Sequence, residues 1–364
     1  MISIIIPIRN EVKSIKRTID SILYQNGMDQ QIEILIADGM SHDGTREIIE
    51  DYHQNNENIH LIDNSEQIVA IGFNRALSIA RGNYIIRIDG HSKIEHDFIK
   101  NSLKLFATVD ADCVGGATQH VASGIIGDAI RISQTSRFGV GVVPFRLGSE
   151  NGRFVDTLAF GVYKREVFEK LGGYDEELVR NQDDEFNFRL IQNGGKIWLD
   201  PSIKSTYYTR ISLFKLFKQY FQYGFYKIRV MQKRKDFASW RHLFPGIFVL
   251  ALFLSFILIP TIEIYLPIYL IACSYAIANI LATLWEALKQ IINQELRKNY
   301  FSLFSFILMP LVYFTLHFSY GLGFICGLFY FWDKWNDTKV KDYHFDQEQF
   351  SKNTVALDKP MSFS

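Results

Sequence analysis

The chain has 364 residues, and its 39 basic and 39 acidic side chains give a formal net charge of zero. A balanced charge provides no overall attraction to nucleic acid, so a DNA- or RNA-binding protein is not expected. Hydrophobic residues make up 48% of the chain and charged residues only 21%, and the length suggests about two domain-sized units. The three cysteines, Cys113, Cys273 and Cys326, lack the paired spacing of a zinc site or a disulfide framework.

Strand-like and helix-like segments alternate over the first two hundred residues. The N-terminus has no basic region followed by a long apolar core, so no cleaved signal peptide is expected. The pattern predicts strands at residues 2–6, 32–37, 60–62 and 84–88, and helices at residues 11–24, 43–55 and 68–81. Strands that alternate with helices form a mostly parallel sheet covered on both faces. Residues 1–205 are therefore predicted to form an α/β domain.

The second half of the chain contains long segments that are almost free of charge. Residues 299–332 contain no Asp, Glu, Lys or Arg, and Glu263 is the only such residue between His242 and Trp285. A bilayer-spanning helix needs about 20 apolar residues. We therefore predict a transmembrane region at residues 243–332, with helices at residues 244–262, 264–285 and within 301–332. The last segment contains Pro310 and three glycines, so a kinked single helix and a helical hairpin are alternatives, with two to four crossings in total.

Residues 206–242 join the two regions and combine aromatic with basic side chains. This composition is typical of an amphipathic helix in the membrane interface, and an ordinary packed helix of the soluble domain is the alternative. Four basic residues, Lys233, Arg234, Lys235 and Arg241, precede the first apolar segment and favour the cytoplasmic side. We expect a multi-pass protein of the cell (inner) membrane with a cytoplasmic α/β domain. The polar tail, residues 333–364, is expected to be poorly ordered.

Acidic side chains follow two of the predicted strands, at Asp38 and Asp89. The carboxyl ends of strands line the ligand crevice of an open α/β sheet, so both residues indicate a site. Asp38 starts a Gly-rich loop and could accept hydrogen bonds from a base or a ribose. The turn at residues 7–11 is expected to shape a wall of the crevice, or to be a plain strand-to-helix turn with Asn10 as N-cap.

Two further clusters contain side chains that could bind a metal or exchange a proton. Asp89 and His91 are potential ligands at one strand end, where a carboxylate suits Mg²⁺ or Mn²⁺ and an imidazole suits Mn²⁺ better. A surface histidine in an ordinary turn is the alternative. The motif Gly-Gly-Tyr-Asp-Glu-Glu at residues 172–177 precedes three acids, residues 183–185, at the start of a predicted helix at 186–192. Those acids are either functional or only partners of the helix dipole.

In this order and spacing, the clusters resemble the family 2 glycosyltransferases, which have a GT-A (Rossmann-like) nucleotide-sugar domain. Residues 4–11, IIIPIRNE, look like the family's strand and P-x-x-N-E turn. Residues 37–45, ADGMSHDGT, are similar to its D-G-S-x-D-G-T loop with one extra residue. The Asp-Gly-Met-Ser variant, the Asp-Gly-His triplet and the run Asp-Asp-Glu-Phe-Asn-Phe-Arg look most like the glucosyltransferases of succinoglycan-type exopolysaccharide assembly. The resemblance covers about residues 1–205.

The resemblance implies a role for each nucleotide-side residue. Asp38 would bind the uracil or ribose of a UDP-sugar, in a pocket shaped by Pro7, Arg9 and Glu11. Asp89 would be the acid of the D-x-D motif and would hold the ribose and a divalent cation, Mn²⁺ or Mg²⁺, that is bound to the diphosphate.

The resemblance also implies the acceptor side of the site. His91 replaces the second acid of the D-x-D motif and is a candidate metal ligand. Asp183 would be the catalytic base of the E-D motif, with Asp184 as the alternative. Gln182 replaces the motif's Glu and could orient an acceptor hydroxyl. Because one carboxylate is missing, we expect the pKa of Asp183 to be less elevated than beside a second acid.

The implied activity is inverting transfer of a hexose, glucose from UDP-glucose being the first choice, to a lipid-linked oligosaccharide of a surface polysaccharide. The acceptor would be carried on a polyprenyl diphosphate within the membrane lipids. Processive relatives contain a Q-x-x-R-W element, whereas residues 219–224 here lack the Arg-Trp pair, which favours addition of a single sugar. A processive synthase and a catalytically silent nucleotide-sugar-binding scaffold are the alternatives.

Overall fold

The computed structural model describes residues 1–25, 31–209, 211–236, 242–262, 265–292 and 301–353. The chain divides into two compact units. Unit 1 comprises Met1–Thr118, Gly148–Tyr207 and Val340–Ser364, and unit 2 comprises Gln119–Leu147 and Tyr208–Lys339. The chain therefore leaves unit 1 twice and returns to it at its C-terminal end.

Unit 1 contains a mixed β-sheet. Its described strands are β1 (Ile2–Ile8), β2 (Ile32–Asp38), β3 (Ile59–Asp63), β4 (Tyr84–Arg87), β5 (Ser92–Ile94), β6 (Cys113–Val121), β7 (Arg153–Val155), β8 (Val162–Lys164) and β9 (Ile197–Tyr208). They lie in the order β3-β2-β1-β4-β8-β6-β9-β5, with β7 paired to β9. Strands β3, β2, β1 and β4 are parallel, which confirms the predicted α/β sheet, and β8 joins β4 in antiparallel orientation.

The register of the parallel strands determines where the site can form. Ile4 of β1 lies between Ile34 and Ile86, and all three side chains are buried, as expected for a parallel sheet covered on both faces. The same register aligns Ile8 with Asp38, and Arg87 ends β4. The carboxyl ends of β1, β2 and β4 therefore meet at one edge of the sheet.

Helices cover both sides of this sheet. In unit 1 they are α1 (Ile15–Leu23), α2 (Thr45–Asn55), α3 (Val69–Ile79), α4 (Phe98–Thr108), α8 (Arg165–Leu171), α9 (Gln182–Gln192) and α14 (Gln347–Lys352). Helix α1 buries Ile15, Ile19 and Ile22, which share one helical face. It begins four residues later than predicted because residues 11–14 form a turn, in which Ser14 N donates to Glu11 O at 2.9 Å. Helix α9 begins earlier than predicted, so the three acids lie in its first turn.

Unit 2 is mainly helical in its described residues. Its helices are α5 (Gly124–Gln134), α6 (Arg137–Val140), α7 (Pro144–Leu147), α10 (Leu213–Arg234), α11 (Phe244–Ile262), α12 (Leu266–Ile292) and α13 (Phe301–Tyr330). Two of them, over residues 266–292 and 303–330, are long and apolar enough to cross a membrane, and a shorter apolar helix covers residues 244–257. Helix α12 extends beyond the predicted span, which ended at residue 285.

The last apolar segment forms the single helix α13 and not a hairpin. Pro310 lies within this helix, where it has no N–H to donate. The carbonyl oxygen of Pro310 accepts a hydrogen bond from Asn279 Nδ2 of α12 at 2.9 Å. Asn279 of α12 thus binds the α13 backbone at the proline, whereas the carbonyl that loses its helical donor at Pro310 is that of Phe306.

Helix α10 packs tightly against α13 within unit 2, and not in the α/β unit to which the packed-helix alternative assigns it. A Cβ atom added to Gly224 would lie 2.0 Å from Tyr320 O, and one added to Gly323 would lie 2.0 Å from Phe221 O. Small residues let two helix backbones approach this closely. Interfacial placement of α10 in a bilayer stays a prediction, and residues 237–241 of the predicted segment lie outside the described residues.

The C-terminal tail corrects the expectation of poor order. Residues 340–353 pack on unit 1, with Phe350 completely buried. The guanidinium carbon of Arg165 lies 3.6 Å from the centre of the Phe350 ring, and Arg165 Nη2 donates to the carbonyl oxygen of the same residue. Asp346 caps α14 by accepting from Gln349 N at 2.9 Å. Few apolar residues are needed here because main-chain hydrogen bonds hold the segment. Residues 354–364 lie outside the described residues.

We predict that Phe350→Ala lowers the free energy of unfolding by about 3 kcal/mol, because the substitution leaves a cavity in a closed site. Chemical denaturation of the full chain measures the change. Lys352→Ala, which alters a side chain that is 71% exposed on the same helix, is the control and should be nearly neutral. Equal stability of the two variants would contradict the packing of the tail on unit 1.

Candidate active site

Asp38 lies at the end of β2 and stabilises the Gly-rich loop that follows. Its side chain is fully buried. Its carboxylate accepts hydrogen bonds from Ser41 Oγ at 2.5 Å and from Ser41 N at 3.1 Å, and Arg46 Nη1 lies 3.4 Å away. These partners compensate the burial of the charge. Asp38 thus determines the shape of the loop, and its predicted contact with a nucleotide stays a prediction.

The turn after β1 is hydrogen-bonded to this loop. Asn10 N donates to Ser41 Oγ at 2.8 Å, and His42 N donates to Asn10 Oδ1 at 3.1 Å. The Asn10 side chain therefore binds the neighbouring loop and is not the N-cap of α1. Pro7 is buried within the strand, whereas Arg9 is exposed at the crevice edge. Of these two predicted pocket residues, only Arg9 presents its side chain to solvent.

Arg87, at the end of β4, joins Asp89 to Asp183. Arg87 Nη2 donates to Asp89 Oδ1 at 2.6 Å, and Nη1 lies 3.4 Å from Asp183 Oδ2. The Arg87 side chain is only 10% exposed, against 25% for Asp89 and 35% for Asp183. Burial acts to lower the pKa of Arg87, but the two carboxylates raise it above its ordinary value, so the guanidinium stays charged. Two acids that are far apart in sequence thus share one buried cation.

Arg87 is a functional residue that the sequence pattern does not reveal. It lies in the run Tyr-Ile-Ile-Arg-Ile, which the pattern predicts only as a strand. The arginine itself is the signal of a buried ion pair, because a charged residue is rarely buried unless it is paired. An arginine two residues before a candidate acid, in a strand buried on both faces, indicates such a pair.

Asp183 lies in the first turn of α9 and has a raised pKa. Burial is the largest cause of this rise, and the charges of Asp184 and Asp89 add to it, whereas Arg87 and the N–H of Asp184 act in the opposite direction. Asp184 N lies 3.0 Å from Asp183 Oδ1. A carboxylate with a raised pKa accepts a proton more readily, as a general base must. Asp184 supplies the like charge that the missing Glu would have supplied.

Gln182 is enclosed at the start of α9. Its side chain is buried, and its Oε1 atom has no hydrogen-bond partner among the described residues. An unsatisfied buried oxygen is uncommon and indicates a place where a donor is required. Contact between Gln182 and an acceptor hydroxyl stays a prediction.

His91 is bound to Glu11 across the crevice. Its Nδ1 atom lies 2.8 Å from Glu11 Oε1, and Ser14 Oγ donates to Glu11 Oε2 at 2.8 Å. The imidazole also packs at 66° to the ring of Tyr207, with 5.0 Å between the ring centres. Because Glu11 engages Nδ1, any contact of His91 with a cation would involve Nε2.

The described residues contain no cluster of three or more His, Cys, Asp or Glu side chains that could hold a metal alone. Asp89 nevertheless has the donor chemistry that a divalent cation prefers. Mg²⁺ is commonly bound through one or two carboxylates together with substrate phosphates and water. The residues present therefore fit a cation whose remaining ligands come from a nucleoside diphosphate.

The chain is similar to known glycosyltransferases in both sequence and fold. The sequence profile "Glycosyl transferase family 2" matches residues 3–172. The chain is 31% identical over 244 residues to "Succinoglycan biosynthesis protein ExoA" of Rhizobium meliloti (strain 1021), which covers 66% of this chain and 73% of that protein. It is 29% identical over 335 residues, 90% of this chain and 97% of the relative, to the Methanococcus voltae "Dolichyl N-acetyl-alpha-D-glucosaminyl phosphate 3-beta-D-2,3-diacetamido-2,3-dideoxy-beta-D-glucuronosyltransferase".

Among solved structures, the chain resembles the mannosyltransferase PcManGT from Pyrobaculum calidifontis in complex with GDP-Man and Mn²⁺. The TM-score is 0.54 at 16% identity, over 92% of this chain and 87% of that one. At this identity the similarity concerns the fold alone, and it confirms the predicted GT-A fold. Together with the profile match and the relative at 31% identity, it leads to one assignment: the chain belongs to glycosyltransferase family 2.

Proposed function

We propose that this glycosyltransferase moves a hexose, glucose from UDP-glucose being the first choice, to a lipid-linked oligosaccharide, with inversion at the anomeric carbon. The product would be an intermediate of a surface polysaccharide. The observation that carries the proposal is the Arg87 bridge: one buried guanidinium contacts both Asp89, the proposed nucleotide-side acid, and Asp183, the proposed base. A nucleotide-binding acid and a proton acceptor in such proximity suit a single displacement.

In this reaction an acceptor hydroxyl attacks the anomeric carbon while the nucleoside diphosphate leaves from the opposite face. Asp183 takes the hydroxyl proton as the new C–O bond forms, and its raised pKa favours that transfer. Asp89 and His91 are the residues that would hold a divalent cation, which when bound stabilises the charge of the departing diphosphate. Arg87 keeps both acids in place, so that little rearrangement is needed during the reaction.

The proposed class of acceptor draws on the names of the relatives. The Methanococcus voltae relative is named for a dolichyl-phosphate-linked substrate, and ExoA is named for succinoglycan biosynthesis. The apolar helices α12 and α13 suit an enzyme whose acceptor remains in a bilayer. We therefore propose a polyprenyl-diphosphate-linked acceptor, membrane lipids as surroundings, and a place in the cell (inner) membrane with the GT-A unit in the cytoplasm.

The experiment that tests this function uses membranes that contain the protein, a panel of labelled UDP-hexoses, and Mn²⁺ or Mg²⁺. Label that enters the organic extract only with active protein supports a lipid-linked product. A ladder of long water-insoluble chains would instead indicate a processive synthase. UDP binding without transfer to any lipid fraction would favour the nucleotide-sugar-binding scaffold.

We predict that Asp183→Asn retains UDP affinity but reduces transfer by at least about 100-fold, because the amide cannot accept the hydroxyl proton. Label transfer and UDP titration measure the two quantities. Asp184→Asn is the matched comparison, since it changes the neighbouring acid in the same helical turn. Loss of activity in Asp184→Asn with normal turnover of Asp183→Asn would assign the base to Asp184.

We also predict that Arg87→Gln moves the acidic limb of the pH–rate profile to higher pH. The guanidinium lowers the pKa of Asp183, so its removal raises that pKa further, and less of the base is ionised at a given acidic pH. Transfer should therefore fall most at low pH and recover as the pH rises. Arg81→Gln is the control, because Arg81 pairs with Glu33 and not with these acids. An acidic limb at the same pH in both variants would contradict the electrostatic role of Arg87.

Removal of divalent cations should abolish transfer, and added Mn²⁺ or Mg²⁺ should restore it. We predict that Asp89→Asn raises the cation concentration needed for half-maximal activity by about tenfold or more. His91→Gln tests the second candidate ligand, and its effect is expected to be smaller because Glu11 engages the imidazole. A larger shift in His91→Gln than in Asp89→Asn would make His91 the principal ligand.

A further inference from the structure

The loop Gly172–Glu177 is attached to the helix that carries Asp183. Tyr174 of this loop stacks on Phe73, with 4.1 Å between ring centres, and its ring contacts the edge of Phe186 in α9 at 5.3 Å. Arg189 of α9 donates to Gly173 O at 2.7 Å and to Leu171 O at 2.5 Å. The loop and α9 are therefore expected to move together.

The C-terminal strap, residues 340–353, binds this loop through both its main chain and its side chains. Gly173 N donates to Asp342 Oδ2 at 3.0 Å, and Glu176 N donates to Lys341 O at 2.7 Å. The backbone N and the Nδ1 atom of His344 lie 2.9 Å from the two carboxylate oxygens of Glu176. Four contacts thus fix both ends of a short loop.

The two glycines of the loop make room for these contacts. Gly172 has a positive φ of 81°, and a Cβ atom there would lie 2.5 Å from Asp342 Oδ2. A Cβ atom on Gly173 would lie 2.5 Å from Asn74 Oδ1 and 3.1 Å from Phe345 Cβ. The Gly-Gly pair therefore permits the close approach of the strap as well as the turn of the backbone.

The strap is also anchored on α3, which faces the same loop. Asn74 Nδ2 donates to Tyr174 O and to Glu176 Oε1, both at 2.8 Å. Ser78 Oγ accepts from Asp346 N at 2.7 Å and donates to His344 O at 3.3 Å. The strap and α3 together enclose the Glu176 carboxylate, which is only 8% exposed. Breaking the hydrogen bonds of a buried carboxylate is costly, so the contacts between the strap and Glu176 are expected to be stable.

We propose that Asp342 and His344 of the strap are positioning residues for sugar transfer. They hold the Gly172–Glu177 loop, and through Arg189 and Phe186 the loop holds α9, so that Asp183 faces Arg87. The inference rests on the proposed role of Asp183 as the base. The predicted nucleotide-binding residues lie at or just after the carboxyl ends of β1, β2 and β4, and none belongs to the Gly172–Glu177 loop or to α9. Loss of the strap contacts should therefore impair turnover and leave donor binding largely intact.

Kinetics of the full chain test this proposal. Asp342→Ala and His344→Ala are expected to lower kcat by about 10- to 100-fold, because small misplacements of a catalytic group are costly, with little change in the KM for the donor. Asp342→Asn retains an oxygen that can accept from Gly173 N and should recover much of the loss. Lys352→Ala is the control on the same strap. Wild-type kcat in both alanine variants, or a change in KM alone, would overturn the proposal.

Amide hydrogen exchange supplies a readout that does not depend on activity. In Asp342→Ala the amides of Gly173 and Glu176 should exchange faster, and so should those in the first two turns of α9. Faster exchange at Gly173 with unchanged exchange in α9 would overturn the proposal, because the strap would then hold the loop without holding the helix. If the wild-type protein transfers no sugar, the proposed function fails, whereas exchange still decides whether the strap orders α9.

Discussion

The guanidinium of Arg87 is buried at the end of β4 with a carboxylate on either side, and the site depends on this arrangement. A buried cation is tolerated only when it is paired, and removal of one partner of a buried pair typically costs about 3–5 kcal/mol. Asp89 and Asp183 therefore stabilise the folded site as well as contributing to the proposed chemistry. The end of β4 and the start of α9 are constrained to lie where a single side chain reaches both.

The rest of unit 1 provides that geometry. The parallel register of β1, β2 and β4 brings their carboxyl ends to one edge, and the turn at Asn10 joins the loops of that edge. The strap secures the loop that precedes α9 from the other direction. Residues 340–353 thus complete unit 1. They lie far in sequence from residues 3–172, which the family profile matches.

Part of this arrangement could be predicted from the sequence. The β-branched runs and the acids that follow them indicate a parallel sheet with a site at its carboxyl edge, and the spacing of the motifs indicates the family. Arg87 could not be recognised because it lies within the strand pattern, and because Asp183, the partner that makes it a bridge, is distant in sequence. The strap was missed because its order depends on main-chain hydrogen bonds and on one buried ring, Phe350, which composition does not reveal. The sequence of α13 is compatible with both a helical hairpin and a single helix because it contains proline and glycine.

The most direct test of the account is a double-mutant cycle on Arg87 and Asp183, with kcat/KM for sugar transfer measured in wild type, Arg87→Met, Asp183→Asn and the double variant. If Arg87 acts through Asp183, Arg87→Met should lower kcat/KM much less in the Asp183→Asn background than in wild type. The coupling free energy between the two residues should then be about 1–3 kcal/mol. Independent losses that multiply in the double variant would show that the bridge does not link the two residues in the reaction.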